Sequence, residues 1–363
     1  MSIEFIWQLP TAGDGRYADA TRLRRGERSQ HSEHGEARRP PFTEGVSDPR
    51  GTTFNYFDYA HQVARAADIS GFDGLRIQHD FDGDDSWILA GYLARGTRHI
   101  RLLTEFEASW GSSVYAAKNA VSFQRATNGR FAWQLVQGAD EASRRQHGDH
   151  LPQDEVLARI DEFITVARGV QTTAPFSFKG RYFEVLDGGF RGPLAGNPLP
   201  PVYLSGEGAE ALALSARQAD VHIFGAAPLE KIRAGVAALQ PLAASHGRQA
   251  RAGLRIDVLA RETQEEAERD AIRYREQIGA NAVLPLLDAG RYWDGYATAR
   301  SGAHGAIVGS YEQVIDALAA YAEAGISSFL LGAEPALEEA YRIGEYVLPS
   351  LRARLAPAEQ QAA

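Results

Sequence analysis

Eight short apolar runs punctuate the chain: Ile3–Leu9, Leu75–Ile77, Ile100–Phe106, Phe131–Val136, Val202–Leu204, Val221–Phe224, Leu254–Ala260 and Phe329–Leu331. Short runs without strict alternation suit strands buried on both faces, as in a parallel sheet. Between them lie stretches with helical spacing. Tyr56–Ser70 carries Phe57, Ala60, Val63, Ala64 and Ala67 on one face and is stopped by Gly71. The same pattern predicts helices at Ser86–Arg95, Ser113–Thr127, Asp154–Gly169, Ala209–Arg217, Pro228–His246, Thr263–Ile278, Tyr311–Ala324 and Ala336–Leu348. Strands alternating with helices imply an α/β fold with a parallel sheet, and eight such units close into a (β/α)8 TIM barrel.

A barrel of this kind does its chemistry on the segments that follow the strands. Here these are Thr11–Gly15, Gln78–Asp85, Glu107–Ser112, Gln137–Asp140, Ser205–Gly208, Gly225–Ala227, the stretch after Ala260, and Gly332–Glu334. The chain of 363 residues exceeds a minimal barrel of roughly 250 residues. The excess is read as insertions in a single domain over residues 1–355. Composition changes from Arg16 to Arg50, where arginines mix with His31, His34, Glu33 and Glu36, so residues 16–54 are either a lid on the catalytic face or a solvated loop. Residues 280–308, with Arg291, Trp293 and Arg300, form a second candidate closing loop, and residues 356–363 a frayed tail. Phe176–Val185 reads as a hairpin excursion across Lys179-Gly180.

Charge and composition narrow the function. A net charge of -9 argues against a nucleic-acid partner. The chain has no cysteine, which excludes thiolate nucleophiles and Cys-ligated zinc. No apolar run approaches the roughly 20 residues that span a bilayer, so no membrane partner is expected and a cytoplasmic location is the default.

Several constellations carry candidate chemistry, each with an ordinary alternative. Ser205-Gly206-Glu207-Gly208 before a helix is either an anion-binding turn or a plain tight connection. Arg255 and Asp257, two apart on a strand, face one side, as site residues or as a structural ion pair. Glu105 and Glu107 after the third run, and His79, Asp80, Asp82, Asp84 and Asp85 after the second, are either acid–base groups or a solvated rim with Asp85 as a helix cap. The His147/His150 and His31/His34 pairs lack a third metal ligand. No Gly-x-Ser-x-Gly elbow occurs.

The order of the pieces resembles the bacterial luciferase-like flavin monooxygenases, with the FMNH2-dependent alkanesulfonate monooxygenases the nearest likeness. The motifs that carry it are Phe5–Gly15, Asn128-Gly129-Arg130, Gln134–Asp140, Ser245–Arg248, Leu254-Arg255, Arg261-Glu262-Thr263 and Leu337–Glu345. The resemblance implies a two-component system. A separate NAD(P)H-dependent flavin reductase supplies reduced FMN, O2 adds to give a peroxyflavin, and a small organic substrate is oxygenated. For an alkanesulfonate or sulfosugar the products are an aldehyde and sulfite. A homodimer or homotetramer is also implied.

Carried over by position, Arg255 falls on an arginine of the substrate pocket and Arg300 on that of the closing loop. Ser205, Gly206 and Glu207 fall on the phosphate turn, and Gln137 and Gly138 on the segment lining the flavin, with Glu105 beside it. Asp257 is then a candidate for proton handling, and His79 a further catalytic candidate. The chain departs from the family pattern too. Ala12 and Asp257 stand for histidines, Glu107 for an arginine and Gly83 for a cysteine. Like charges in a closed site disfavour an anion, unless the Arg22–Arg28 cluster folds over the pocket. A deazaflavin-dependent dehydrogenase and a non-catalytic flavin-binding protein stay open as alternatives.

Overall fold

The computed structural model describes residues 3–9, 11, 56–81, 83–138, 140–277, 292–294 and 305–356. Arg300, the 16–54 insertion, most of the 280–308 segment and nearly all of the tail lie outside these residues. Along the chain run β1 (Glu4–Leu9), α1 (Tyr56–Ile69), β2 (Gly74–Ile77), α2 (Ser86–Ala94), β3 (Arg101–Glu107), α3 (Ser113–Thr127), β4 (Phe131–Val136), α4 (Glu141–Gln146) and α5 (Val156–Thr172). A hairpin of β5 (Phe176–Lys179) and β6 (Glu184–Gly188) follows. Then come β7 (Val202–Ser205), α6 (Ala209–Gln218), β8 (Val221–Gly225), α7 (Leu229–Ser245), β9 (Arg251–Arg261) and α8 (Gln264–Gln277). The chain ends with β10 (Tyr292–Trp293), β11 (Ala306–Ser310), α9 (Tyr311–Glu323), β12 (Ile326–Gly332), α10 (Ala336–Tyr346) and α11 (Leu348–Leu355).

The main sheet runs β10-β11-β9-β12-β1-β2-β3-β4-β7-β8, with a further β8–β9 pairing that closes eight parallel strands into a barrel. Each of the eight apolar runs coincides with one of these strands. Three elements differ from the sequence reading. Strand β11 lies in and just beyond the segment taken as a closing loop and pairs in parallel with β9 from Ala306↔Asp257 to Ser310↔Arg261. Helix α4 has only six residues, too few to show a period. The last predicted helix breaks at Val347, and α11 starts anew on Leu348-Pro349, because proline suits a first turn but not an interior.

By compactness the chain falls into two units. In the first (residues 1–100, 225–236 and 253–363), β1 shows why its inward face is polar. Phe5 stacks on Phe329 at 5.5 Å beneath the Arg352 guanidinium, and Trp7 packs on Phe72 at 5.0 Å while its indole N–H donates to the Ala336 carbonyl. With Phe5 and Trp7 spent on the helices, Glu4, Ile6 and Gln8 take the opposite face by the twofold alternation of a strand. Beside Gln8 in register is Arg76 of β2, which is 1% exposed and donates from Nη1 to Gln8 Oε1 at 3.1 Å.

The second unit (residues 101–224 and 237–252) repeats that logic. Trp133 packs outward on Phe106 and Phe163, leaving Gln134 to face inward, where its amide donates to Glu105 Oε1 at 3.0 Å. Below this row the Tyr203 hydroxyl accepts from Arg101 and Arg251, each at 3.4 Å. His222 of β8 points away, with its ring Nδ1 2.7 Å from Ser215 Oγ on α6. Burial pushes the His222 imidazole down to about 4. A depressed histidine binds its proton more readily unfolded, so its contribution is complete above about pH 6.5 and is lost as pH falls toward 4. We expect the urea midpoint to drop over that window by the equivalent of about 3 kcal/mol, and His222→Gln to flatten the slope. A wild-type midpoint independent of pH between 7 and 4 would contradict this.

Candidate active site

The site residues predicted from sequence are placed on the two units as follows. In the second unit, Gln137 and Gly206 meet although 69 positions apart, because β4 and β7 pair in parallel from Trp133↔Val202 to Leu135↔Leu204. Gln137 Nε2 donates to the Ser205 carbonyl at 3.4 Å, and a Cβ on Gly206 would fall 2.3 Å from that same nitrogen and 2.8 Å from Ala211 Cβ. Gly206 also holds φ at +147°, a conformation open to glycine. The turn therefore packs bare main chain against the Gln137 amide. It runs into α6, whose N-cap is Gly208 at φ +91°, with no side chain capping the helix. A helix start of this kind offers main-chain N–H groups and the positive dipole end to an anion. Glu207 is exposed to solvent on this turn.

Gly138 stands next to Gln137 at φ +84°. A Cβ there would lie 2.6 Å from Glu107 Oε1 and 2.9 Å from Arg144 Cδ. Glu107 is 2% exposed and accepts the Ser109 hydroxyl at 3.0 Å. Behind it, Arg144 is wholly buried and is bound by Asp149, the Leu151 carbonyl and Gln153. Asp149 takes two further bonds from Arg159, at 2.7 and 2.8 Å, which hold its carboxyl well below the usual carboxylate range. This network of α4, α5 and the loop between them braces the wall that carries Gln137 and Gly138.

In the first unit, Asp257 is 3% exposed. A Cβ on Gly332 would fall 2.3 Å from Asp257 Oδ1 and 3.6 Å from Gln8 Cβ, so the carboxylate occupies the space that the glycine leaves. Arg255 is half-buried two residues earlier on the same strand. His79 is half-buried, edge-on to Phe81 at 4.7 Å. Asp85 is a helix cap, accepting from the N–H groups of Trp87 and Ile88. His147 is exposed with its Nδ1 on the Ser143 carbonyl, and no group of three metal-ligating side chains occurs among the described residues. Sequence reasoning missed Gln8, Arg76, Arg144 and Asp149. Arg76 carried a signal, since it is a lone charge within the apolar run Leu75–Ile77.

The glycines at 138 and 206 let the main chain pack closely against Glu107, Arg144, Gln137 and Ala211, and open Gly208 starts α6 with no side-chain cap, a helix start that suits a phosphorylated ligand. A sequence model of the luciferase-like monooxygenase family matches residues 38–328. The chain belongs to that family. The membership supports an oxidoreductase. Solved structures share the fold at low sequence identity. Riboflavin lyase RcaE, solved with modified FMN and riboflavin, is 17% identical at a TM-score of 0.72, over 98% of this chain and 92% of that one. Long-chain alkane monooxygenase LadA gives 17% and 0.71 over the same shares. The coenzyme F420-dependent tetrahydromethanopterin reductase of Methanopyrus kandleri gives 14% and 0.66, over 97% and 100%. No helix among the described residues is long and apolar enough to cross a membrane.

Proposed function

We propose that this chain is the oxygenase of a two-component FMN system, taking reduced FMN from a separate flavin reductase and inserting one atom of O2 into a small organic substrate. The observation that carries this reading is the uncapped start of α6 behind the Gly206–Gly208 turn, in a chain of the luciferase-like monooxygenase family. Reduced FMN, when bound, supplies the electrons that activate oxygen. The chain's own residues do the rest. The Ser205–Gly208 turn and the first N–H groups of α6 hold the phosphate. Gln137, fixed on the Ser205 carbonyl, shapes the turn, and Gly138 lets the wall approach closely. Asp257, buried against Gly332 within β9, is the candidate for proton handling. Arg255 and Arg300 are the cations proposed to stabilise developing negative charge.

An organosulfonate, cleaved to an aldehyde and sulfite, is the first substrate class to test. Buried Glu107 and Asp257 weigh against a bare anion, so neutral substrates belong in the same panel. The likeness to an F420-dependent reductase supports a second reading, a deazaflavin-dependent dehydrogenase that needs no oxygen. Stopped-flow mixing of the protein with reduced FMN and O2 tests the first. We expect an absorbance transient absent from free flavin, oxygen uptake that depends on substrate, and sulfite where the substrate is a sulfonate. If the protein leaves the oxidation of reduced FMN unchanged, the reading fails, and binding of F420 in its place selects the second.

A further inference from the structure

Arg76, Gln8, Gly332 and Asp257 form a row across four neighbouring strands of the first unit, β2, β1, β12 and β9. Gln8 pairs in register with Arg76, stands one position past the Trp7↔Leu331 pair, and so is level with Gly332, against which Asp257 is packed. Gln8, Arg76 and Gly332 are the last or next-to-last residues of their strands. That is the end of a parallel barrel at which ligands bind.

A guanidinium only donates, so the 3.1 Å bond from Arg76 Nη1 fixes the Gln8 carboxamide with its oxygen toward β2 and its NH2 group turned away. Among the described residues this is the one hydrogen bond that Gln8 makes. Gln8 is only 6% exposed, and both N–H donors are unspent. Native proteins seldom leave a buried donor without an acceptor, because the loss of water is not repaid. Gln8 Nε2 is nevertheless not one of the sealed-off polar atoms, as Thr11 Oγ1 and Ser328 Oγ are. The surface that Gln8 keeps therefore includes this nitrogen. If accepting from Arg76 were the whole role of residue 8, a glutamate would serve with a stronger, charge-assisted bond. Glutamine adds the donor.

We propose that the Gln8 side-chain NH2 group is a ligand-binding donor, aimed at a neutral carbonyl oxygen of a molecule that enters at these strand ends, with Arg76 as the residue that positions it. An anion is disfavoured there, because the Asp257 carboxyl borders the same glycine: Asp257 Oδ1 lies 2.3 Å and Gln8 Cβ 3.6 Å from where a Cβ on Gly332 would stand. Carbonyls of this kind occur on a flavin ring and on organic substrates. The assignment draws on strands of one unit only and holds whichever cofactor the protein takes.

Isotope-labelled glutamine side chains report on the donor directly by NMR, the Gln8 signal being the one absent from Gln8→Glu, or from Gln8→Asn should the first not fold. The full-length protein is titrated with FMN and, separately, with acetamide as a small neutral carbonyl. A ligand that accepts from Gln8 is expected to move its NH2 proton signals downfield. A shift with FMN assigns the place to a flavin carbonyl, and a shift with acetamide alone assigns it to a substrate carbonyl. Gln8→Glu keeps an oxygen for Arg76 and loses the donor, so it is expected to melt close to wild type. It is expected to bind the shifting ligand about 10-fold more weakly, the size of one hydrogen bond. Signals that answer to neither ligand, or a Gln8→Glu protein that binds as tightly as wild type, would show that residue 8 serves Arg76 alone and overturn the assignment. FMN that binds, by quenching of its fluorescence, while Gln8 answers to neither ligand sinks the assignment and spares the flavin reading. A shift with acetamide in a protein that binds no FMN does the reverse.

Discussion

The Asp149→Ala protein is expected to lose about 3–5 kcal/mol of folding stability, the range for removing one partner of a buried charge cluster. Asp149 is nine-tenths buried and satisfies two guanidiniums at once, Arg159 through paired bonds of 2.7 and 2.8 Å and wholly buried Arg144 at 3.2 Å. Truncation leaves two cations facing each other with no anion between them. It also frees the Leu151 N–H, which donates to Asp149 Oδ1. Set against a typical total of about 5–15 kcal/mol, this is a large loss for a residue on a loop. Urea unfolding checks it, and a change below about 1 kcal/mol, within the range of exposed pairs, would show that solvent screens the cluster. The coupling gives a second check. Arg144→Met removes one of the stranded charges, so the double variant Asp149→Ala, Arg144→Met should be less damaged than the sum of the two.

That cluster marks where the sequence stops being legible. The eight strands could be read directly, because parallel strands covered on both faces are mostly apolar, as in Phe131–Val136 and Leu254–Ala260. The hairpin at Lys179-Gly180 was equally plain, and the structure ties its tip to α5 through Glu162, which accepts the N–H groups of Arg181, Tyr182 and Phe183. The polar lining of the strands was not. Gln8, Arg76 and Gln134 interrupt apolar runs, and what makes each tolerable is a partner on the adjacent strand, Arg76 with Gln8 and Gln134 with Glu105. Spacing along one strand cannot show a partner on another. Strand β11 was hidden for a related reason. Its Ala306-Ile307-Val308 sat at the end of a glycine- and arginine-bearing segment read as a loop, and it becomes a strand by pairing with β9. In the site, the Ser205–Gly208 turn and Gln137 were each visible, but their meeting follows from the β4–β7 register. Arg144 and Asp149 sit on a helix of six residues and a loop, where no period exists to read.

Gly138→Ala is expected to lose about 2–5 kcal/mol and with it the ability to bind flavin. A residue with a Cβ at φ +84° costs about 1–2 kcal/mol from its own main chain. Forcing extra volume into a filled space adds about 1–3 kcal/mol. Here the space is filled on two sides, since the new Cβ would lie 2.6 Å from Glu107 Oε1, 2.8 Å from its Cδ and 2.9 Å from Arg144 Cδ. Glu107 cannot swing away freely, being 2% exposed and bound by the Ser109 hydroxyl. Arg144 is held by Asp149, Leu151 and Gln153. The strain therefore passes into the main chain at residues 137 and 138, moving Gln137 off the Ser205 carbonyl and spoiling the turn. Removing the carboxylate tests this route. Glu107→Ala opens the side occupied by Oε1, so Gly138→Ala combined with Glu107→Ala should recover part of the lost stability, and recover FMN affinity only if Gln137 returns to its place. If Gly138→Ala alone melts within a degree of wild type and binds FMN normally, the wall is looser than its geometry implies, and the close approach argued for Gln137 and Gly206 loses its support.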